Sequence, residues 1–244
     1  MTDELAVVIR IEFDEHWRVG TGTSASGLDD DQTWAMGDNS VCVPASHLKR
    51  VLRQRAEALA PLVGLVLCGG RLAAQDLPSP AVGHPGSCKS SSDKSVEVCA
   101  GCRLFGSPRV TPGWRFGPAL VEQPDHLNRG QRTVLAAAQR QRSMHNRIDP
   151  WARRTAEDLL FSLENGRADL TATATAGYLF PGSPNVDELA LLVAAVGGLE
   201  ALGGRKRRGF GACRAWVEGA PGGRTHDEWV EVFVSHDWAG RVVP

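Results

Sequence analysis

Four consecutive cations stand between glycines near the end of the chain, in the segment GGRKRRGFGACR at residues 203–214. Glycine adopts positive φ and approaches a ligand closely, which leaves backbone amides available to anionic oxygens. Arginine adds forked donors that match phosphate geometry. No acidic residue interrupts the segment. The pattern predicts that this glycine-rich loop binds a polyanion; the alternative is a charged, solvated turn.

Three adjacent aspartates, Asp29, Asp30 and Asp31, follow a glycine in a stretch rich in glycine, threonine and aspartate. Neighbouring carboxylates repel one another unless water or a cation lies between them. Mg²⁺ is held by one or two carboxylates together with substrate phosphates. The cluster therefore predicts a divalent-cation site for phosphodiester chemistry, and a solvated acidic loop is the alternative.

Cys99 and Cys102 form a CAGC pair, and Cys88 precedes the pair by eleven residues. A CxxC turn can direct two thiolates at one tetrahedral ion, with Cys88 as a third ligand and His84 or Cys68 as the fourth. In a segment too polar to bury much apolar area, zinc would supply folding free energy. The spacing predicts structural zinc; a redox pair and incidental cysteines are the alternatives.

Other residues have simpler interpretations. His16 and His145 could each act as a general base, although a surface role is the alternative for both. Trp151, beside a proline in an arginine-rich stretch, is predicted to stack on a nucleobase, with core packing as the alternative. The remaining residues are predicted to pack in the core or close it: Cys42, Cys213, Trp216, Trp229 and Trp238.

Overall charge limits how a polyanion is bound. The chain has 244 residues, 27 Lys and Arg against 28 Asp and Glu, and a formal net charge of -1. Contact with nucleic acid must therefore come from an uneven charge distribution. Seven arginines lie in residues 129–154, and a helix-like segment carries Lys49, Arg50, Arg53 and Arg55. These patches and the glycine-rich loop are expected to share one face.

Hydropathy bounds the fold and its location. Hydrophobic residues make up 42% of the chain, which suffices for a core. No signal peptide precedes the first strand-like segment, and no apolar run reaches the roughly 20 residues of a membrane span. A cytoplasmic setting is expected, in which cysteines stay reduced.

Hydrophobic periodicity predicts the elements that position these residues. Strands are expected at residues 5–13, 41–44, 115–121, 168–176 and 212–217, and helices at 47–60 and 186–202, with Ser46 capping the first helix. The threonines of ADLTATATA should face outward. This order predicts an α+β fold, a ferredoxin-like (RRM-type) βαββαβ core with two long insertions.

Taken together, four segments resemble the RAMP superfamily of CRISPR-associated proteins, specifically the Cas7-like backbone subunits of type III effector complexes. They are VPASHLKRVLRQ at 43–54, CAGCRLFGSP at 99–108, HNRIDPWARRTAEDLLFSLE at 145–164 and ALGGRKRRGFGACR at 201–214. In order, they look like that family's helix-start motif, CxxCxLFG segment, thumb and terminal glycine-rich loop. Ala45, His47 and Arg50 depart from the helix-start motif.

The resemblance implies a single domain over residues 1–244, with a zinc-bearing insertion at 64–106 and a thumb hairpin at 128–165. It implies a subunit that holds CRISPR RNA and complementary target RNA in a filament of Cas7-like copies or sibling Cas subunits. The residues expected to contact RNA are Ser46, Lys49, Arg50, Arg53, Arg147, Trp151, Arg205, Lys206, Arg207 and Arg208.

Catalytic members of that family carry an aspartate before the helix-start motif, which cuts target RNA with Mg²⁺ or another divalent cation. The resemblance implies that Asp29 is this residue, with Asp30 and Asp31 as rivals. Two other functions stay open. One is an architectural RNA-binding subunit without catalysis, and the other is a Cas6-like ribonuclease that processes CRISPR RNA through His16 or His145 without metal.

Overall fold

Helices pack against one face of an antiparallel sheet in the part of the chain that the structure describes. The computed structural model describes residues 5–20, 33–36, 40–65, 67, 98–108, 110–149, 151, 154–204, 206–219, 221–236 and 238. The helices are α1 (Ala45–Leu59), α2 (Ala100–Phe105), α3 (Arg129–Ala138), α4 (Val186–Gly197) and α5 (His226–Ser235). The strands are β1 (Ala6–Phe13), β2 (Cys42–Val43), β3 (Trp114–Phe116), β4 (Ala119–Val121), β5 (Arg140–Asp149), β6 (Arg154–Gly166), β7 (Leu170–Tyr178) and β8 (Cys213–Glu218).

The main sheet has the strand order β2-β4-β7-β1-β8, and β3 also pairs with β7. Every one of these pairings is antiparallel. Strands β5 and β6 form a separate two-stranded sheet, a long hairpin. The predicted α+β class is confirmed, and the sheet is antiparallel. Among the described helices, none combines the length and apolarity that a membrane crossing requires.

Alternating side chains place one face of the sheet in the core. Strand β1 buries every second residue, and β7 buries its alanines while its threonines point away from the core, as predicted. Helices α1 and α4 cover this face, because their buried residues belong to the same cluster. Removing this apolar surface from water stabilises the fold by about 25 cal/mol per Å². The buried residues that β1, β7 and β8 contribute to this face are Val7, Ile9, Ile11, Phe13, Ala172, Ala174, Ala176, Cys213, Ala215 and Val217.

Several predicted boundaries are wrong for local reasons. Helix α1 begins at Ala45 with Pro44 as its N-cap, so Ser46 lies inside the first turn and does not cap the helix. Helix α4 ends at Gly197, because the pair Gly197-Gly198 disfavours further helix. The predicted strand at residues 115–121 is divided into β3 and β4 at Gly117-Pro118, since proline cannot donate to a ladder.

Three helices, α2, α3 and α5, are absent from the prediction, although α3 and α5 each begin with a capping box. In α3 the Asn128 side chain accepts from the Gln131 amide, and the Gln131 side chain accepts from the Asn128 amide, both at 2.9 Å. Thr225 and Glu228 form the same arrangement in α5. A short polar residue followed three positions later by Glu or Gln is a sequence signal for a helix start, and it could have predicted both α3 and α5.

Candidate nucleic-acid interface

The glycine-rich loop between α4 and β8 is closed at its base by backbone hydrogen bonds. The Leu202 amide donates to the Gly211 carbonyl at 2.8 Å, and the Cys213 amide donates to the Glu200 carbonyl at 3.0 Å. Inside the loop, Lys206–Arg208 forms a single 3₁₀ turn. The base of the loop is therefore fixed to α4 and β8 on both sides.

Two glycines allow this path through a crowded space. The φ angles of Gly203 and Gly211 are +99° and +77°. A β-carbon at Gly203 would lie 2.2 Å from the carbonyl oxygen of Arg18, and one at Gly211 would lie 1.9 Å from that of Leu202. Backbone atoms cannot yield as a flexible side chain can, so these positions accept only glycine.

The substitution Gly211→Ala should therefore destabilise the protein by about 3 kcal/mol, since steric overlap adds to the cost of positive φ. Gly209 is the matched control, because its φ is +83° but no atom of the described part of the chain lies within 4 Å of an added β-carbon. Gly209→Ala should lose only about 1 kcal/mol. Chemical denaturation measures both losses, and equal losses would show that crowding does not constrain the loop.

His47 connects α1 to this loop. The Gly203 amide donates to His47 Nε2 at 3.1 Å, and the Arg50 guanidinium lies 3.3 Å from His47 Nδ1. Burial, followed by the nearby cations Arg50 and Lys206, lowers the pKa of His47 to about 4. The imidazole is therefore neutral near pH 7. His47 is missing from the predicted RNA-binding residues, although it lies three positions before Arg50.

The pKa of His47 predicts a pH dependence of stability. Its pKa is about 4 in the folded protein and about 6.5 for an ordinary exposed histidine, so the unfolded chain takes up the proton first as pH falls. The stabilising contribution of neutral His47 is complete above 6.5 and is lost as pH falls towards 4. Wild type should thus lose stability more steeply than His47→Gln over this window, measured by thermal denaturation. Parallel pH profiles would contradict the assignment.

Cations gather around His47 from two parts of the chain. The surrounding protein partly desolvates Lys206 and, with Arg55 and Arg50, lowers the pKa of Lys206. Arg55 pairs with Glu200 at 2.7 Å, whereas neither Arg50 nor Lys206 forms an ion pair with another described residue. Two cations without an acidic partner among the described residues, beside a glycine loop, produce a positive potential that suits an anionic ligand. His47, Arg50, Arg55 and Lys206 are referred to below as the His47 cluster.

The other cations of the glycine-rich loop are described only in part. The Arg208 side chain is exposed to solvent. The backbone of Arg207 belongs to the 3₁₀ turn, and Arg205 lies outside the described residues. Their predicted contacts with RNA remain predictions.

A second flank of α1 borders a groove of about 200 Å³. Ser46 and Lys49 line it together with Arg115 of β3. Burial, and then the charge of Arg53, lowers the pKa of Lys49. Arg53 itself donates to Glu57 at 2.8 Å and to the Gly106 carbonyl at 3.1 Å, so it fastens α1 to the end of α2. The four predicted cations of α1 therefore lie in different environments. Lys49 lines the groove, Arg53 contacts the end of α2, and Arg50 and Arg55 belong to the His47 cluster.

The β5–β6 hairpin occupies the predicted thumb segment. Trp151 lies between the two strands, with its side chain 94% exposed, so the core-packing alternative is wrong. Arg147 belongs to β5. At the base of the hairpin, the Trp17 and Gly166 backbones exchange hydrogen bonds of 3.1 and 2.7 Å. Stacking of Trp151 on a base remains a prediction.

The loop of the predicted catalytic aspartates is fixed at both ends. Asp29, Asp30 and Asp31 lie outside the described residues. Gly20 and Thr33, which flank this segment, pair with each other in an antiparallel bridge. The Thr33 hydroxyl donates to the Glu164 carbonyl at 2.7 Å, near the base of the hairpin. The loop therefore starts and ends beside the hairpin.

Two of the predicted zinc ligands can be described. Cys99 is the N-cap of α2 and Cys102 lies in its first turn, and both are buried. Residues three apart at a helix start lie on the same side, as two ligands of one ion must. His84, Cys88 and Cys68 lie outside the described residues. Within the described ranges, no group of three or more His, Cys, Asp or Glu side chains could hold a metal ion.

The histidines predicted as general bases have structural contacts. The Ala168 amide donates to His16 Nδ1 at 3.1 Å, and His145 Nε2 lies 3.0 Å from Ser143 Oγ. Cys42 and Cys213 are buried as predicted, and burial raises the pKa of the Cys213 thiol to about 12. Trp229 and Trp238 are buried as predicted, but Trp216 is 36% exposed because it lies on the outer face of β8.

Comparison with known proteins adds family information. The family model of the RAMP superfamily matches residues 10–214. One similar solved chain belongs to the structure titled "Type III-B Cmr-beta Cryo-EM structure of the Apo state". The similarity has a TM-score of 0.56 at 11% identity and covers 88% of this chain and 98% of that one. No curated protein matches the chain.

Proposed function

Because the chain belongs to the RAMP superfamily, whose model matches residues 10–214, we propose that it is an RNA-binding backbone subunit of a type III CRISPR effector complex. The chain shares its fold with one from a type III-B Cmr-beta structure, which supports this placement. The strand order β8-β1-β7-β4, with α1 after β1 and α4 after β7, supports the ferredoxin-like core.

The observation that carries this proposal is the meeting of α1 and the glycine-rich loop at the His47 cluster. Arg50 and Lys206 come from segments far apart in sequence, and both act on the same imidazole. Cations and backbone amides that contact phosphates fix the position of a nucleic acid without reading its sequence. That property suits a subunit of an effector whose guide RNA selects the target by base pairing.

The test is binding of the purified chain to single-stranded RNA at a series of salt concentrations. Phosphate contacts release counterions, so log affinity should fall linearly with log salt, by about 0.7 per contact for a single strand. RNAs of different sequence should bind with similar affinity. A lack of binding, or an affinity that salt leaves unchanged, would contradict the proposal.

The proposed role as a backbone subunit also implies the RNA ligands, the neighbouring subunits and the position of the hairpin on the RNA. The guide RNA and a complementary target RNA are the proposed ligands, and other Cas subunits, including Cas7-like copies, are the proposed neighbours in a filament. The β5–β6 hairpin would insert at the duplex with Trp151 against a base, which its 94% exposure supports.

We further propose that Asp29, Asp30 and Asp31 supply a divalent-cation site for cleavage of the target RNA. A cation held there would stabilise charge on the scissile phosphate. Asp31 precedes Thr33 by two residues, so its Cα lies at most about 7 Å from the Cα of Thr33, whose hydroxyl contacts Glu164 near the base of the hairpin. The neighbouring 2′-hydroxyl of RNA is the proposed attacking group. An architectural subunit without cleavage is the alternative, and the two differ only in whether target RNA is cut.

Structural zinc is the proposed role of Cys99 and Cys102, with Cys88 and either His84 or Cys68. Metal analysis should find about one zinc per chain, since such sites bind tightly at neutral pH. A Cys99→Ser and Cys102→Ser double variant should lose this zinc and melt at lower temperature. The α2 helix is tied to the core, because Arg103 Nε lies 3.0 Å from Glu188 Oε1 in α4.

The Cys42→Ser variant is the control, because Cys42 is a buried cysteine of β2 outside the proposed site. It should keep the metal. A clearly sub-stoichiometric zinc content in wild type would remove the proposed site.

A further inference from the structure

The imidazole of His47 receives two donors although it can accept from only one. The Gly203 amide points at Nε2 from 3.1 Å, and the Arg50 guanidinium points at Nδ1 from 3.3 Å. A neutral imidazole has one acceptor nitrogen, and its other nitrogen carries the proton. In either tautomer, therefore, one N–H faces another donor.

Of the two groups that face the imidazole, the Gly203 amide is the less mobile, so it determines which nitrogen accepts a hydrogen bond. Gly203 is held in place, since it pairs with Arg18 in a parallel bridge and the next amide, that of Gly204, donates to the Arg18 carbonyl at 2.7 Å. Arg50 is a long, exposed side chain in the first half of α1, so it can change rotamer more easily than a backbone amide can move. Nε2 accordingly accepts from Gly203 and Nδ1 carries the proton. The result is an Nδ1–H and a guanidinium that face each other with no acceptor between them.

We propose that a phosphate oxygen of bound RNA enters this position and accepts hydrogen bonds from both His47 Nδ1–H and Arg50. Lys206, whose charge also acts on His47, adds a third donor from the loop side. The inference rests on the proposed RNA-binding function and extends it to a particular residue. His47 is a phosphate-binding residue, and the Gly203 amide sets the tautomer that lets it donate.

This assignment explains why a histidine suits the position. A lysine or arginine could not accept from Gly203, because neither has an acceptor atom. A serine would not span the distance to the loop while donating elsewhere. Imidazole carries one acceptor and one donor on opposite sides of a rigid ring, so one side chain orders the loop and contacts the ligand.

The first experiment separates the two functions by substitution. His47→Gln can keep an acceptor for the Gly203 amide but lacks the Nδ1–H donor, so its RNA affinity should fall about tenfold while its melting temperature stays near that of wild type. His47→Asn keeps a donor near Arg50 but is too short to reach Gly203, so it should lose more stability than affinity. If His47→Gln binds RNA as wild type does, His47 only orders the loop and the inference is wrong.

The second experiment observes the tautomer by ¹⁵N NMR of histidine-labelled protein near neutral pH. The chain has 7 histidines, so the His47 signals are assigned by their loss in His47→Gln. We expect a protonated Nδ1 in the free protein and a shift of that signal, but little change at Nε2, when single-stranded RNA is added. A protonated Nε2 in the complex, or an Nδ1 signal unchanged by saturating RNA, would overturn the inference.

Inorganic phosphate is the second ligand of the NMR titration. A shift of Nδ1 with phosphate in a chain that fails to bind RNA would retain the anion site and reject the proposed function. Binding of RNA without any response at His47 would retain the proposed function and reject the anion site. The two failures are thus distinguishable.

Discussion

Reversal of two charges, Arg50→Glu with Lys206→Glu, should weaken RNA binding about a hundredfold, or about tenfold for each change. The two cations meet at His47 from α1 and from the glycine-rich loop. Each reversal replaces attraction to a phosphate by repulsion in a place where the protein offers no acid to either cation among its described residues. Fluorescence anisotropy with labelled RNA measures the loss.

The slope of log affinity against log salt should also decrease, by about 0.7 for each phosphate contact removed. Arg224→Glu is the matched control for each single change, because it alters net charge equally. Arg224 lies over the ring of Trp229, 5.0 Å from its centroid, beside α5 and outside the His47 cluster. It should change affinity less than about twofold. If the control weakens binding as much as the cluster variants, binding depends on net charge and not on this interface.

Replacement of Asp29, Asp30 and Asp31 by alanine should lower the rate of target-RNA cleavage more than about a hundredfold, because a cation at the scissile phosphate contributes several kcal/mol. The assay uses the assembled effector complex with a complementary RNA and Mg²⁺, and EDTA should stop the wild-type reaction. Single variants then identify which aspartate is required. RNA affinity should change little in all of them.

Asp125→Ala serves as the control, because Asp125 is a surface aspartate before α3 whose backbone carbonyl accepts from Arg132 at 3.2 Å. It should cleave at the wild-type rate. Undiminished cleavage by the triple variant would reject the catalytic assignment. A wild-type complex that binds but never cuts would instead establish the architectural alternative.

Local periodicity predicted the fold well wherever burial alternates strictly. The strand β1 and the ADLTATATA segment of β7 have one apolar and one polar face, and both were located within two residues. Boundaries failed where a backbone restriction competes with side-chain pattern. Pro44 moved the start of α1, and the pair Gly197-Gly198 shortened α4.

The interface was predictable in composition but not in arrangement. The glycine-rich loop can be predicted as an anion site from the sequence, because its charge and its backbone freedom are local properties. The contact between His47 and Gly203 spans 156 residues, so no spacing in the sequence reveals it. Likewise, Lys49, Arg50 and Arg53 share one helix, but the neighbours that turn them to a groove, to the loop and to α2 come from elsewhere in the fold.

Trp17 and Arg18 join two regions that the proposed function treats separately. Trp17 exchanges hydrogen bonds with Gly166 at the base of the β5–β6 hairpin, and the Arg18 carbonyl accepts from the Gly204 amide at 2.7 Å. Two consecutive residues thus connect the base of the β5–β6 hairpin to the glycine-rich loop through backbone hydrogen bonds. Under the proposed function, a tilt of the hairpin on pairing of a target strand would therefore be transmitted through Trp17 and Arg18 to the glycine-rich loop, and target occupancy would be coupled to guide retention within one subunit.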